Sequence, residues 1–300
     1  MRERWTHFWF EPTAPTNLGM CRALFFGAFF LFYLAQDFSA WGEVSRDFWM
    51  PTWFFKTLHL FVLPAVVLDP MQAVWKLALA LSCLGLFTRL STALSFMLGF
   101  YLLGLPHSLG KISHYDGLVV VVLGVMALSR CGDGFSLDRL IQAGRAGTRS
   151  YRLTPASGEY TWPVRVVWLM FALIFFAAGA AKLRYSGSEW FLSDSFAIML
   201  IQARYRTDDV SPLTTWGLHL AQFGWLCRVL AAATVALEFG YPLALVSRRA
   251  RWVIVPAVLS MQIGIRLIVG PSFNQFIICN LFWVRWDRLT ASMRERFAHA

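Results

Sequence analysis

Long apolar runs constrain this chain more than any other feature of its sequence. The clearest run is VVWLMFALIFFAAGAA (166–181), which contains no charged side chain. A bilayer core about 30 Å thick is crossed by roughly 20 mostly apolar helical residues. Composition agrees, because 57% of the 300 residues are hydrophobic and only 15% are charged, whereas soluble domains carry about 25% charge. The sequence therefore predicts a polytopic membrane protein and excludes a disordered chain.

Apolar segments recur along the chain and predict an all-α integral membrane fold. Segment 53–68 is interrupted by Lys56, His59 and Pro64, so we interpret it as interfacial or re-entrant, with a full span as the alternative. Segment 190–206 mixes apolar and polar residues, as does a helix lying in the interface plane. We expect a bundle of about eight transmembrane helices with one or two interfacial or re-entrant helices, forming a single domain over residues 1–300. The predicted spans lie near 20–36, 72–88, 91–105, 117–129, 164–182, 228–246, 252–270 and 272–286.

Loop charge predicts the orientation of these helices. Connection 130–163 is rich in arginine and turn 247–251 reads SRRAR, whereas connection 183–227 balances its arginines with acidic residues. Lys and Arg concentrate in cytoplasmic loops. We therefore expect an inner-membrane protein with both termini in the cytoplasm. The net charge of +10 is then an orientation signal, so membrane lipid and not nucleic acid is the expected partner.

The five cysteines are scattered without a CxxC motif or any metal-ligand spacing. Since most of them lie in or beside apolar runs, the sequence predicts neither a disulfide framework nor a metal site.

Polar side chains within the apolar segments are the candidate site. An ionisable group inside a bilayer costs about 2.5 kcal/mol or more, so each needs a partner or a purpose. The predicted orientation places several of them at similar depth near the outer leaflet, as expected for a cavity lining. The candidates are Lys182, His114, Glu238, Gln262, Arg266 and Asn274.

Lys182 has two interpretations. Burial disfavours an ammonium group, so Lys182 would be a neutral amine that acts as a general base, while His114 would stabilise an oxyanion or bind an acidic hydroxyl group. Alternatively, Lys182 extends its ammonium group to the outer headgroups. These residues alone leave both interpretations open.

The neighbouring residues also have purely structural interpretations. Glu238 would form an ion pair with Arg266, and Asp116 would cap the helix that it opens. Gly179 would only let two helices approach closely.

Three stretches of the sequence resemble a known family. FFAAGAAKLRYSGSEWF (175–191) is similar to the lysine signature in the membrane region of vitamin K-dependent gamma-carboxylases, also called the horizontally transferred transmembrane (HTTM) domain. HYDGLVVVVLGVMALSRCGDGFSLDRL (114–140) resembles that family's span-opening histidine, followed by a loop like Ser136-Leu137-Asp138. WTHFWFEPTAPTNLGMCRALF (5–25) resembles the start of the domain. The similarity extends over nearly the whole chain.

The resemblance implies a reaction and its cofactors. In these carboxylases the corresponding lysine deprotonates vitamin K hydroquinone on the luminal side, which is equivalent to the periplasm. By position, Lys182 would be the base and His114 its histidine partner. The other four candidates, Arg266, Asn274, Gln262 and Glu238, would bind the cofactor. That cofactor would be reduced vitamin K or menaquinol, with O₂ and CO₂ as co-substrates of a carboxylase-like activity.

The sequence also departs from the family. Ala181 precedes Lys182 where the family has a second lysine, Ser113 precedes His114 where it has an asparagine, and MQIGIR (261–266) lacks a histidine. We also expect no soluble luminal domain. We therefore predict an HTTM-type enzyme that modifies a peptide or small substrate, with a secreted peptide or periplasmic protein as partner.

Two other functions stay open. A non-catalytic membrane maturation or assembly partner would use the same polar residues to hold its helices together. A small-solute transporter ranks last, because neither paired repeats nor broken helices are evident.

Overall fold

The chain is helical throughout the part that the structure describes. The computed structural model describes residues 2–110, 115–146, 154–205, 213–271 and 273–289. In those ranges the only β-type pairing is an isolated bridge between Thr13 and Ser157. The predicted all-α fold is therefore confirmed.

The chain divides into two compact units. Unit 1 comprises Met1–Val166 with Val284–Ala300, and unit 2 comprises Val167–Trp283. The single domain over residues 1–300 stays a prediction.

Unit 1 is built on four long helices. Helix α4 packs against α2 and α5, and α5 packs against α6. The buried Trp75 of α4 donates its indole N–H to the Ser95 carbonyl of α5, 2.9 Å away. The helices of this unit are α1 (Arg2–Phe10), α2 (Pro15–Leu34), α3 (Trp53–Thr57), α4 (Ala65–Leu84), α5 (Thr88–His107), α6 (Tyr115–Leu128), α7 (Leu137–Arg145) and the start of α8 (Trp162–Ser186).

A tight turn joins α4 to α5. Gly85 ends α4 with a φ of 68°, a left-handed conformation that costs glycine little because it has no Cβ. The fully buried Arg22 of α2 fixes this turn by donating to the Ser82 and Cys83 carbonyls at 2.5 and 3.3 Å. Arg22 also donates to the Phe135 carbonyl at 2.5 Å. One buried guanidinium therefore joins α2, the end of α4 and the loop before α7.

Unit 2 contains most of α8 and a core built largely from shorter helices. Its buried apolar cluster is formed by α10 with residues of α12 and the end of α14, among them Leu200, Cys227 and Val269. The further helices are α9 (Glu189–Leu192), α10 (Ser195–Tyr205), α11 (Thr214–Ala221), α12 (Gly224–Gly240), α13 (Leu243–Val246), α14 (Arg248–Ile268) and α15 (Asn274–Cys279).

Five helices in the described ranges are long and apolar enough to cross a membrane. They are α2, α4, α5, α14 and the helical stretch Gly158–Ser186 that contains α8. A sixth span results if α11 and α12, which meet at a bend of 103°, are taken as one broken span. Helix α6 is apolar but has only 14 residues. The predicted membrane helices are thus present in part, and eight spans are not confirmed.

Several predicted boundaries need correction. Residues 272–286 do not form one long helix, because α15 has six residues and gives way to a 3-10 turn at Asn280–Trp283. The segment 53–68 divides between the short helix α3 and the start of α4, which begins at Ala65 instead of residue 72. Pro64 directly precedes α4 and has an extended backbone conformation. Because proline has no N–H to donate and its ring clashes with a preceding helical turn, α3 and α4 do not form one continuous helix. The segment 190–206 forms α9 and α10, and its position in the interface plane stays a prediction.

Candidate functional site

An ion pair between α8 and α12 joins two of the predicted site residues. The Lys182 ammonium nitrogen lies 2.8 Å from Oε1 and 2.6 Å from Oε2 of Glu238. The Glu238 side chain is 8% exposed and that of Lys182 is 21% exposed. Charge-assisted hydrogen bonds of this length are among the strongest polar contacts in proteins. The two charges that the apolar sequence makes most conspicuous therefore satisfy each other.

Gly179 explains why the two helices come this close. It lies one helical turn before Lys182, and a Cβ atom there would stand 2.8 Å from the Phe239 backbone nitrogen and 3.1 Å from the Glu238 Cβ. Only a residue without a side chain fits this contact. The packing role predicted for Gly179 agrees with this geometry, and the same contact brings Lys182 within reach of Glu238.

Trp190 of α9 forms a third side of the site. The chain turns back after α8 at Gly187, whose φ is 57°, and this places the Trp190 ring centroid 5.4 Å from the Lys182 nitrogen. This distance is within the range of a cation–π interaction. The Trp190 indole N–H is buried and has no acceptor among the described residues. Trp190 is part of the string that resembles the carboxylases, but its role beside Lys182 is not evident from the sequence.

The predicted ion pair between Glu238 and Arg266 is wrong. Arg266 donates to the Gly270 carbonyl at the end of α14, 2.5 Å away. The interactions of Glu238 in the described structure are with Lys182. One helical turn separates Gln262 from Arg266 in the sequence, yet Gln262 has a different partner.

Gln262 lies in a buried amide pair. Its side chain is almost fully buried, at 1% exposure, and the Asn280 amide donates to its Oε1 at 3.4 Å. Asn280 also donates to the Phe276 carbonyl at 2.9 Å. Gln262 Nε2 and Asn280 Oδ1 are left without partners among the described residues. Asn280 was not predicted, because the sequence analysis assigned it to the interior of an ordinary span.

Of the two remaining predicted residues, the structure describes Asn274 alone, and it does not join the ion pair. Asn274 is the first residue of α15 and is partly buried, and neither Lys182 nor Glu238 contacts it. His114 lies outside the described residues, so its predicted role is not tested.

Asp116 belongs to a polar cluster in unit 1. It lies in the first turn of α6, accepts a hydrogen bond from the Tyr33 hydroxyl at 3.1 Å, and lies 3.5 Å from His107 Nε2. Asp116 thus contacts α2 and α5, and its expected role as a helix cap stays a prediction. His107 was not predicted, because it ends a span where a histidine carries little signal.

The Ser136-Leu137-Asp138 loop is structural. Asp138 accepts hydrogen bonds from the Phe87 and Thr88 backbone N–H groups at 2.8 and 2.7 Å, and from the Thr88 hydroxyl at 2.7 Å. It thereby caps the first turn of α5, whose N–H groups have no helical partner. Ser136 caps α7 by accepting from the Arg139 N–H at 3.3 Å.

The comparisons leave the family unassigned. No family model, curated protein or solved structure matches this chain. Across the described ranges, no group of three or more His, Cys, Asp or Glu side chains has the arrangement of a metal site. The Lys182–Glu238 pair is therefore the candidate functional site.

Proposed function

We propose that the chain is an integral membrane protein in which the Lys182–Glu238 pair exchanges a proton with a reduced quinone dissolved in the bilayer. The observation that supports this is the double contact of the Lys182 nitrogen with both Glu238 oxygens. An ionised pair inside apolar helices is expensive and commonly serves proton movement. Lys182 also keeps about a fifth of its side chain exposed, so a ligand has access to it.

In this pair the general base is a different residue from the one that the sequence predicts. An ammonium group bound to a carboxylate has no free lone pair, so Lys182 alone does not act as the base. In this proposal Glu238 accepts the proton of an acidic hydroxyl group. Lys182 then donates a hydrogen bond to the oxygen that loses the proton, which stabilises the developing negative charge.

The residues present fit a quinol. A planar ring with two oxygens matches an ammonium donor, a carboxylate acceptor and the neighbouring Trp190 indole. The buried Trp190 N–H, which lacks an acceptor in the described structure, would donate to a ligand oxygen. When bound, reduced vitamin K or menaquinol supplies the acidic hydroxyl group and the redox chemistry.

The proposal places the protein in the inner membrane. The loop charges support cytoplasmic termini and a periplasmic site, and a bundle with up to eight spans. An HTTM-type reaction at this site, with O₂ and CO₂ as co-substrates, would modify a secreted peptide or a small substrate. Arg266, which belongs to the same unit as the pair, would complete the binding site in this proposal.

The decisive experiment compares Glu238→Gln and Lys182→Ala with the wild-type chain. Purified proteins are given menaquinol and O₂, and quinol oxidation is followed by absorbance. We expect both variants to lose about 10²-fold or more in turnover, the usual contribution of a positioned acid or base. Quinone extracted from the purified wild-type protein is identified by mass spectrometry.

An exposed ion pair in unit 2 supplies the control. Arg228 and Asp194 lie 3.1 Å apart, with side chains 51% and 60% exposed. Arg228→Ala removes a charge without touching the buried pair and should leave turnover unchanged. Wild-type protein that neither contains nor oxidises a quinol would contradict the proposed function.

The alternative function is a non-catalytic assembly partner, and the complete mutual pairing of Lys182 and Glu238 favours it. Removing one member of a buried pair costs about 3–5 kcal/mol, because the other charge stays buried. If the pair is purely structural, Lys182→Ala should lower the yield of folded protein. Glu238→Gln keeps a hydrogen-bond acceptor for Lys182. In a structural role, this variant should leave any activity per folded molecule unchanged.

A further inference from the structure

A basic cavity in unit 1 lies at the turn between α4 and α5. Its volume is about 500 Å³, and it is bounded by the start of α5, the loop after α6 and helix α7. Three arginines line it, Arg89, Arg130 and Arg139, against two carboxylates, Asp133 and Asp138. None of these residues belongs to the Lys182–Glu238 site, and the proposed function gives the cavity no role.

Protein donors already engage the two carboxylates. Asp138 accepts the three hydrogen bonds that cap α5. Asp133 accepts from the Tyr160 hydroxyl at 2.9 Å and pairs with Arg130 at 3.4 Å. These contacts occupy both carboxylates, and neither of them forms an ion pair with Arg89 in the described ranges.

Arg89 and Arg139 supply the positive charge of the cavity. Arg89 is exposed, and its guanidinium group has no ion-pair partner in the described ranges. Arg139 donates to the uncharged Thr154 hydroxyl at 2.8 Å. Guanidinium groups bind phosphate oxygens through two parallel hydrogen bonds, so the cavity has the chemistry of a phosphate site.

The surroundings of the cavity are apolar. Phe87 and Leu90, which line it, are 65% and 62% exposed, and Leu140 on α7 is 57% exposed. Helix α7 thus carries exposed apolar and basic residues together, as helices at a membrane interface do. A soluble anion would leave these side chains in water, whereas acyl chains would cover them.

We propose that this cavity binds the phosphate of an anionic phospholipid, with Arg89 and Arg139 as its ligands and Phe87 and Leu90 against the acyl chains. Basic pockets beside transmembrane helices bind anionic headgroups in this way. The site does not depend on the proposed quinol function.

Lipid retention tests the proposal on the full chain in detergent. Native mass spectrometry measures how much phosphatidylglycerol or phosphatidylcholine stays bound to the protein. We expect phosphatidylglycerol to be retained preferentially. Arg89→Gln should weaken its retention about fivefold, and Arg89→Gln with Arg139→Gln about 25-fold, since each arginine near an anionic headgroup contributes about equally. Because Arg89 is exposed, its single variant is expected to fold.

The controls separate this site from general charge and from free phosphate. Arg249→Gln removes an exposed arginine on α14, outside the cavity, and should retain the lipid as the wild type does. Equal retention of the two lipids, or an equal loss in Arg249→Gln, would overturn the proposal. Displacement of phosphatidylglycerol by millimolar inorganic phosphate would also overturn it, because the ligand would then be a soluble anion.

Discussion

Buried and partly buried cations among the described residues are neutralised in two different ways. Arg22 and Arg251 donate to backbone carbonyl groups, whereas Lys182 faces a carboxylate. Arg251 is also stacked over the Trp168 ring, with its guanidinium carbon 4.2 Å from the ring centroid. Carbonyl acceptors hold a permanent cation, but they do not release or take up a proton at ordinary pH. Lys182 and Glu238 can both exchange protons, which is why the proposed chemistry is assigned to this pair.

Asp138 is expected to stabilise unit 1 by capping α5. Asp138→Ala removes the acceptor of two backbone N–H groups and one hydroxyl group, and loss of a cap costs about 1 kcal/mol. We expect a lower melting temperature for Asp138→Ala and a smaller decrease for Asp138→Asn, which keeps an acceptor oxygen. Gln142→Ala, an exposed change on the same helix, is the matched control, and an equal decrease there would contradict the capping role.

The Asp138 carboxyl group should also make the stability of the protein depend on pH. Burial, the largest single influence, raises the pKa of Asp138, but the hydrogen bonds from Thr88 and Phe87 together hold it below its ordinary value of 3.8. A lowered pKa means that the folded state binds fewer protons than the unfolded state in this window, so the stabilisation is present above pH 3.8 and is lost as the pH falls through the folded pKa. The melting temperatures of the wild type and Asp138→Asn should therefore differ more at pH 7 than at pH 3. A constant difference would rule out this explanation.

The candidate site depends on the close backbone contact between helices α8 and α12. We expect Gly179→Ala to destabilise the protein by about 1–3 kcal/mol, because its Cβ would meet backbone atoms that cannot move independently. Gly264→Ala is the matched control on α14, where a Cβ meets nothing within 4 Å. Since alanine favours a helix over glycine by about 1 kcal/mol, Gly264→Ala should keep or raise the melting temperature. Thermal unfolding in detergent measures both variants.

Helix existence was easier to predict than helix length. Apolar runs identify α2, α5, α8 and α14, since each run is long and contains few charged residues. The run at 272–286 is also largely apolar, yet within it α15 is followed by a 3-10 turn. There Asn280 bonds back to Phe276 and across to Gln262, and contacts of this kind between distant residues leave no periodic pattern in a sequence.

The candidate site was also predictable only in part. Unusual charge in an apolar run identified Lys182 and Glu238 but not their pairing, because sequence spacing says nothing about which helices become neighbours. Arg266 was an equally good partner for Glu238 on charge alone. The Gly179 contact decides between the two, and it depends on a backbone approach that appears only in three dimensions.

For the molecule as a whole, the number of helices that cross the membrane can be tested one helix at a time. The helical stretch Gly158–Ser186 is the most apolar candidate span, so its two ends should lie on opposite sides of the membrane. Ala156→Cys and Ser188→Cys place exposed thiols just before and just after it. In intact cells a membrane-impermeant maleimide should label one variant and not the other.

The native cysteines give this experiment a low background. Cys21, Cys131, Cys227 and Cys279 are buried and Cys83 is partly buried, so the unmodified protein should react weakly. Labelling of both variants from outside would show that the stretch does not cross the membrane.

The burial of Arg22 has a consequence for how the protein is made. Its carbonyl acceptors lie 60, 61 and 113 residues later in the chain. At about 5–20 residues per second, the last of them leaves the ribosome on the order of ten seconds after Arg22. During this interval the guanidinium group needs a temporary host, such as headgroups or the insertion machinery. We therefore expect helix α2 to enter the bilayer early and to reach its final position only when the segment around Phe135 has been synthesised.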